Sequence, residues 1–141
     1  MKTLSETEKM QLGLSFLAAW KNRSWALMKT LLNDDVTWSL PGESLLSGEV
    51  QGPDAITRRA GQLKDFGVQV ELRHILFSRD GLALALHNTA KRGQLVLDEH
   101  VLIVCDLAGH KISRLTTYLD DIAGIEAFFV AGIIDQGFVH I

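Results

Sequence analysis

The feature that most constrains the fold is a series of long strand-like segments that fills the second half of the chain. Short turns separate them: Arg79-Asp80-Gly81, Lys91-Arg92-Gly93, and the stretch from Asp106 to Gly109. Consecutive strands joined by such short turns must run antiparallel. The sequence therefore predicts a four-stranded meander over residues 68–78, 82–90, 95–105 and 111–119.

Helical signals surround this meander. Ser5 and Glu8 match a capping box that starts a helix reaching about residue 21, and helical spacing continues over 24–32. Pro53 after Gly52 predicts a third helix to about residue 66, and Asp120 or Asp121 can cap a short helix through 129. The predicted fold class is α+β, with three to four helices on one face of a curved antiparallel sheet.

A first strand and an apolar tail complete the predicted order. Val36, Trp38 and Leu40 alternate with polar residues before Pro41-Gly42 ends the strand. The tail 132–141 is apolar but interrupted, so it could pair with the sheet, dock across a pocket or meet a second subunit.

Length and charge limit the classes of function. A chain of 141 residues fits a single domain, 1–141, and the net charge of -3 with scattered basic residues argues against a nucleic-acid partner. No apolar run approaches the roughly 18 residues of a membrane span. The lone Cys105 lies in an apolar run, which indicates a packed thiol. We expect a cytoplasmic protein without a membrane partner, metal or cofactor.

Several phrases carry a family resemblance: LLNDDVTWSLPGESLLSGEVQGPDAI, ALHNTAKRGQLVLDEHVLIV and HKISRLTTYLDDIAGIEAFF. Their order of acidic pair, strand, proline-glycine and helix resembles the nuclear transport factor 2-like superfamily, in particular its ketosteroid isomerase and SnoaL-like polyketide cyclase branches. The resemblance implies a cone-shaped half-barrel with a pocket in its concave face, in a homodimer. Because this fold hosts many reactions, it does not by itself identify one.

The carboxylates that those branches use are missing at the matching positions. The base of ketosteroid isomerases would stand at Leu40, and their oxyanion hole at Phe16 and near Val101, or near His100 in a shifted register. The aspartate of the cyclases and of limonene epoxide hydrolases would stand at Thr117. Neither leucine nor threonine can replace a carboxylate base, so the usual chemistry of both groups is not expected.

Strand parity supplies another candidate site. A tight turn at Arg92-Gly93 would place His87 opposite Asp98, with His100 nearby, on a face of small residues that suits a cavity. The alternate face, with Leu86, Asn88, Leu97, Glu99 and Val101 among its members, would suit packing or a dimer. In the cavity, Asp98 would orient His87 or His100 as a general acid or base. By the family's parity, Leu115 and Thr117 join this face, and Thr117 would place a water or a carbonyl.

Other interpretations of these residues remain open. The histidines could line a passive pocket or its rim, or could bind a metal with Asp98, although zinc usually requires three well-placed ligands and a second shell. Four apolar side chains could form the wall of a ligand pocket or simply the core: Phe16, Trp20, Trp38 and Leu40.

The expected function is binding of a small, largely apolar organic molecule in the cone. If the protein is an enzyme, we expect proton-transfer chemistry such as isomerisation, cyclisation or dehydration. The rival is a non-catalytic binding or dimerisation domain whose cone is filled by Phe16, Trp20 and Trp38.

Overall fold

A computed structural model describes residues 4–131, so the tail 132–141 and its alternatives lie outside the described residues. The helices are α1 (Glu6–Lys21), α2 (Trp25–Thr30), α3 (Pro53–Asp65) and α4 (Ile122–Phe128). The strands are β1 (Leu32–Leu40), β2 (Gly48–Gln51), β3 (Gln69–Ser78), β4 (Gly81–Arg92), β5 (Leu95–Ala108) and β6 (Lys111–Leu119). No helix within 4–131 is long and apolar enough to cross a membrane.

The helix boundaries follow from local capping chemistry. Ser5 caps α1 through a complete capping box with Glu8, as predicted. Pro53 occupies the first turn of α3, and Gly67 after its end has φ 88°, a left-handed conformation that glycine adopts without strain. Asp121 accepts a hydrogen bond from the backbone N–H of Gly124 and caps α4. The predicted helices are confirmed.

Over residues 4–131 the sheet has six strands, in the order β2-β1-β6-β5-β4-β3. The predicted antiparallel meander forms its larger part, from β3 to β6. One feature differs from the prediction: β1 lies beside β6 and pairs with it in parallel, so the sheet is mixed. Local pattern could not show this, because the two strands are far apart in sequence.

The predicted register of the β4–β5 hairpin was wrong. His87 lies opposite His100, Asn88 opposite Glu99, and Thr89 opposite Asp98. The hairpin turns one residue later than predicted, because Gly93, with φ 59°, supplies the left-handed conformation that a two-residue turn requires.

The roles predicted for the two faces are confirmed for one and wrong for the other: the aliphatic face packs, as expected, but the face of His87 does not line the interior of the cone. The face turned toward the helices carries the large aliphatic residues, among them Leu82, Leu84, Leu86, Val101 and Ile103, which are buried. Burying this larger apolar area is the more favourable arrangement. The face of His87 and His100, predicted to line the cavity, is therefore the outer face.

The same correction applies to two residues of β6, which were assigned to the face of His87. Thr117 lies opposite Ile103, and Leu115 opposite Cys105, so both belong to the inner face and not to the face of His87. The core lies between this inner face and the helices, with Phe16, Trp38 and Phe128 among its largest fully buried side chains.

Candidate functional site

A small cavity lies inside the cone, between the inner face of the sheet and the helices. Its volume is about 30 Å³, enough for one or two water molecules and far below the ~300 Å³ of a typical small-ligand site. Its wall contains most of the polar side chains of the inner face together with aromatic and aliphatic residues: Trp20, Trp38, Leu40, Leu63, Val68, Asn88, Leu97, Glu99, Val101, Ile103, Thr117, Leu119, Ile125 and Phe129.

The aromatic part of this wall is held rigidly. The rings of Trp20 and Trp38 pack edge to face, with their centroids 5.6 Å apart. Trp20 Nε1 donates to the carbonyl oxygen of Ala60 at 3.1 Å. Buried Arg59 lies 5.4 Å from the Trp38 ring and donates to the carbonyl oxygens of Trp38 and Gly48. Burial lowers the pKa of Arg59 to about 10, so it remains charged at neutral pH.

Thr117 presents an oriented hydroxyl group to the cavity. Trp38 Nε1 donates to Thr117 Oγ1 at 2.8 Å. An indole N–H can only donate, so the threonine oxygen must accept. The hydroxyl hydrogen of Thr117 has no acceptor among residues 4–131 and is available to a guest.

Glu99 is the unusual residue of the cavity. Its side chain comes from β5 and is only 2% exposed, yet neither carboxyl oxygen has a hydrogen-bond partner within the described part of the chain. Asn88, opposite Glu99 on β4, likewise has an unpartnered buried oxygen, Oδ1. A buried polar group without a partner costs free energy. Such groups are rare in native proteins and concentrate where ligands or chemistry need them.

The surroundings of Glu99 favour its neutral form. Burial, and then the carboxylates of Asp121 and Asp120, raise its pKa to about 7. Glu99 Oε2 would lie 2.7 Å from a Cβ atom built on Gly124, so the carboxyl group is pressed against α4. At neutral pH the carboxylic acid and the carboxylate are therefore both populated, as general acid–base catalysis requires.

The predicted histidine cluster exists, but on the outer face. His87 Nε2 donates to Asp98 Oδ1 at 2.6 Å, and Arg73 donates to His87 Nδ1 at 3.1 Å. The His87 and His100 rings stack with centroids 4.8 Å apart, and His100 Nδ1 donates to Asp120 Oδ2. Both nitrogens of His87 are thus engaged, away from the cavity. A catalytic role of His87, Asp98 and His100 stays a prediction that concerns this outer face.

The structure separates the predicted wall residues into two groups. Trp20, Trp38 and Leu40 line the cavity. Phe16 and Leu115 are fully buried in the core but do not belong to the cavity wall. Within residues 4–131, no three His, Cys, Asp or Glu side chains are placed to hold a metal ion. Burial raises the pKa of Cys105 to about 12, which makes the thiol inert.

Sequence reasoning missed Glu99 as a site residue. The signal was present: Glu99 is the one charged residue in the alternating stripe Leu97, Glu99, Val101 and Ile103. A lone carboxylate in a stripe that helices cover must be buried. The sequence interpretation assigned this stripe to packing or a dimer, and so placed the polar site on the opposite face.

Comparisons with known proteins support the fold. No family model matches the chain. An uncharacterized protein of Mycobacterium tuberculosis is 29% identical over 116 residues, which cover 79% of this chain and 88% of that protein. Bal32a, from a soil-derived mobile gene cassette, has a TM-score of 0.78 at 24% identity over 87% of this chain and 99% of its own.

A solved structure described as NTF2-like decides the fold. This protein, from Burkholderia xenovorans LB400, superposes with a TM-score of 0.75 at 16% identity, covering 92% of this chain and 99% of its own. The chain has the NTF2-like fold. The fold expected from the resemblance to the nuclear transport factor 2-like superfamily is thereby confirmed, and the cavity with Glu99 occupies the interior of an NTF2-like cone.

Proposed function

We propose that this NTF2-like domain binds a small, largely apolar organic molecule in its cone and that Glu99 exchanges a proton with it. One observation carries the proposal: the Glu99 carboxyl group is buried on an apolar wall and has no hydrogen-bond partner among residues 4–131. A single donor side chain in the cone would have been enough to hydrogen-bond this carboxyl group. A guest with a carbonyl or hydroxyl oxygen would supply the missing hydrogen bond.

The chemistry follows from the charge states available to Glu99. As a carboxylate, it can take a proton from a carbon next to a carbonyl group. The C–H electron pair then forms the enolate, and the neutral acid returns the proton to the same carbon, which exchanges the proton, or, in a β,γ-unsaturated ketone, to the γ carbon of the dienolate. The second course is an isomerisation of the double bond, and neither course needs an oxidant or reductant. A pKa of about 7 lets one group act in both directions near neutral pH.

Two further side chains have roles in this proposal. Asn88, opposite Glu99, can hydrogen-bond the oxygen of the guest through its amide group. Thr117 keeps the role expected from sequence, placing a water or a carbonyl, because Trp38 donates to its oxygen and no acceptor within residues 4–131 takes its hydroxyl hydrogen. Trp20, Trp38 and Leu40 supply the apolar contact.

A specific observation favours a second function. The cavity volume of about 30 Å³ fits the rival in which the cone is filled by its own aromatic side chains and the protein serves as a non-catalytic binding or dimerisation domain. The proposed enzyme must widen its cone before it admits a guest.

Deuterium exchange tests the proton-transfer proposal. The protein is incubated in D₂O with cyclohexanone or indan-1-one, and loss of the protons next to the carbonyl is followed by ¹H NMR. We expect the wild type to accelerate exchange and Glu99→Gln to lose the acceleration. Glu49→Gln, which changes an exposed carboxylate on β2, is the matched control and should exchange as the wild type does.

Binding is measured separately by the quenching of tryptophan fluorescence with the same ketones and with methylcyclohexane. Ketone binding with exchange that does not depend on Glu99 would contradict the acid–base role. No binding of any probe, together with an unchanged cone, would favour the second function.

We also propose that a second copy of the chain covers the outer face of the meander. Within residues 4–131 no helix lies on this face, whose centre carries the small side chains of Ala83 and Ala85. Around them lie both signs of charge, including Arg73 and Asp98, so the face is self-complementary. Sedimentation velocity should show a homodimer for the wild type and a monomer for Ala85→Arg. A wild-type monomer would refute this pairing.

A further inference from the structure

A groove on the surface of the protein runs between α1 and β3. Its volume is about 240 Å³, against about 30 Å³ for the cavity in the cone, and it approaches the lower limit of ~300 Å³ for small-ligand sites. Apolar side chains from both elements line most of it: Leu14, Leu17, Ala18, Val68, Val70 and Leu72. Leu14 is 44% exposed, so the groove opens to solvent along α1. Contiguous exposed apolar surface of this kind is characteristic of a binding groove.

Contacts between distant segments fix the two ends of the groove. Near the start of α1, Lys9 Nζ donates to the carbonyl oxygens of Ser78 and Arg79, where β3 ends, at 2.6 and 2.9 Å. At the other end, Arg23 after α1 pairs with Asp65 of α3 at 3.0 Å. Helix α1 therefore runs antiparallel to β3, and its last turn lies beside the last turn of α3.

Two lysines lie at the end of the groove where these helices meet. Lys21 belongs to the last turn of α1 and Lys64 to the last turn of α3, and both line the groove. None of the lining residues in the described chain is acidic. Asp65 and Glu71, the carboxylates nearest to the groove in sequence, each form an ion pair with an arginine. The two ammonium groups therefore share this end of the groove without a carboxylate partner.

The helix ends cancel only part of the lysine charge. The C-terminal end of a helix carries about half a negative charge, so two lysines at two helix ends leave roughly one net positive charge. Leu14 lies two turns before Lys21, ~10 Å away along α1. The groove thus combines an apolar length with a basic end.

We propose that this groove binds a free medium-chain carboxylate. The alkyl chain would lie along the apolar side chains of α1 and β3, and the carboxylate between Lys21 and Lys64. The side-chain amide of Gln69, which also lines the groove, can donate a hydrogen bond to the same carboxylate. A molecule with one charged end and an apolar length matches the distribution of charge in the groove.

The groove is a different site from the cavity of Glu99. Trp20 and Val68 form a wall that the two spaces share, so a chain in the groove contacts this wall without entering the cone. An anion is disfavoured inside the cone, because the carboxylates of Asp120 and Asp121 lie near Glu99 there. The proposal therefore goes beyond the proposed function and does not depend on proton transfer at Glu99.

Isothermal titration calorimetry with sodium octanoate tests the groove. We expect saturable binding of one octanoate per chain, and about tenfold weaker binding of hexanoate, which buries two fewer methylene groups. Lys21→Gln and Lys64→Gln should each weaken octanoate binding about threefold, and the double variant about tenfold. Lys91→Gln, which removes an exposed lysine of β4 outside the groove, is the matched control and should bind as the wild type does.

Octan-1-ol distinguishes a groove that selects an anion from one that is merely apolar. It should bind about tenfold more weakly than octanoate, and with equal affinity to the wild type and to the double lysine variant. Leu14→Asn changes an exposed side chain and should weaken both ligands, because their alkyl chains share the apolar side chains.

Several outcomes would overturn the proposal. They are the absence of saturable octanoate binding, equal affinity for octanoate and octan-1-ol, or the same loss in Lys91→Gln as in the groove variants. Tighter octanoate binding in Glu99→Gln would place the anion in the cone instead. A dimer that Leu14→Asn converts to a monomer would show that a second copy covers the groove. Ketone binding and exchange are measured separately, so failure of this proposal is distinct from failure of the proposed function.

Discussion

Two neighbouring residue pairs of the β4–β5 hairpin behave in opposite ways. On the outer face, His87 and His100 stack, and each has a carboxylate partner, Asp98 and Asp120 respectively. One position along, Asn88 and Glu99 face the cavity, and both have buried oxygens that find no hydrogen-bond partner in the described part of the chain. In the sequence, the outer pair resembles a catalytic site. In the structure, the inner pair contains the group with the raised pKa, Glu99.

The difference shows that the free-energy cost of a polar side chain depends both on its burial and on whether it has a hydrogen-bond partner. Within the single chain, the polar groups of the outer face are exposed or paired, so changing one of them costs the stability of that chain little. A carboxyl group held inside without a partner destabilises the fold when it ionises. Such a cost is retained where function requires it, which makes the inner pair the better functional candidate.

The largest expected effect concerns the pH dependence of stability. The pKa of Glu99 is about 7 in the folded protein, above its ordinary value of 4.5. Between these values the folded state binds more protons than the unfolded chain, so the free energy of unfolding falls as pH rises, by about 3 kcal/mol in total. Urea unfolding at pH 5 and pH 8 should show this loss in the wild type and not in Glu99→Gln. An equal loss of stability in both proteins would show that Glu99 is not the source of the pH dependence, and the contrast between the two residue pairs would fail.

A smaller effect on stability is expected at Thr117, another polar residue of the cavity wall. Thr117→Val should lower the free energy of unfolding by about 2 kcal/mol at every pH, because the buried Trp38 indole N–H loses its acceptor. Thr117→Ser keeps the hydroxyl group and should recover most of this loss. Urea unfolding of the three proteins at one pH is sufficient. If the Thr117→Val protein were as stable as the wild type, the Trp38–Thr117 hydrogen bond would not stabilise the cavity wall.

The smallest effect is expected on the outer face. Asp98→Asn makes the same chemical change as Glu99→Gln, but the Asp98 side chain is 66% exposed. We therefore expect less than about 1 kcal/mol of change in stability. We also expect no change in the deuterium exchange of bound ketones. Loss of exchange in Asp98→Asn would restore the histidine cluster as the catalytic site.

The sequence was sufficient to predict the helices and the strands of the meander, because the signals for these elements are local. The Ser5 capping box, Pro53 at a helix start and the glycine turns each act within a few residues, and the structure confirms the elements that they predict. The parallel pairing of β1 with β6 depends on contacts between distant segments, and no local pattern encodes it.

The candidate site was harder to predict, for two physical reasons. The hairpin turn lies one residue beyond the predicted position, because Gly93 takes the left-handed conformation. The face assignment then depended on side-chain size: small residues were taken to line a cavity, although the helices bury the larger aliphatic face. Glu99 therefore appeared on a packing face, and only the placement of the helices shows that its carboxyl group is buried.

The most direct test of the central claim is an NMR titration of Glu99 itself. The protein is labelled with ¹³C at the glutamate carboxyl carbons, and the Glu99 resonance is assigned from its absence in Glu99→Gln. We predict that this resonance titrates with a midpoint near pH 7, and that it shifts further when a ketone binds in the cone. A midpoint at the ordinary glutamate value of about 4.5 would contradict the claim that the cone holds its carboxyl group ready for proton transfer.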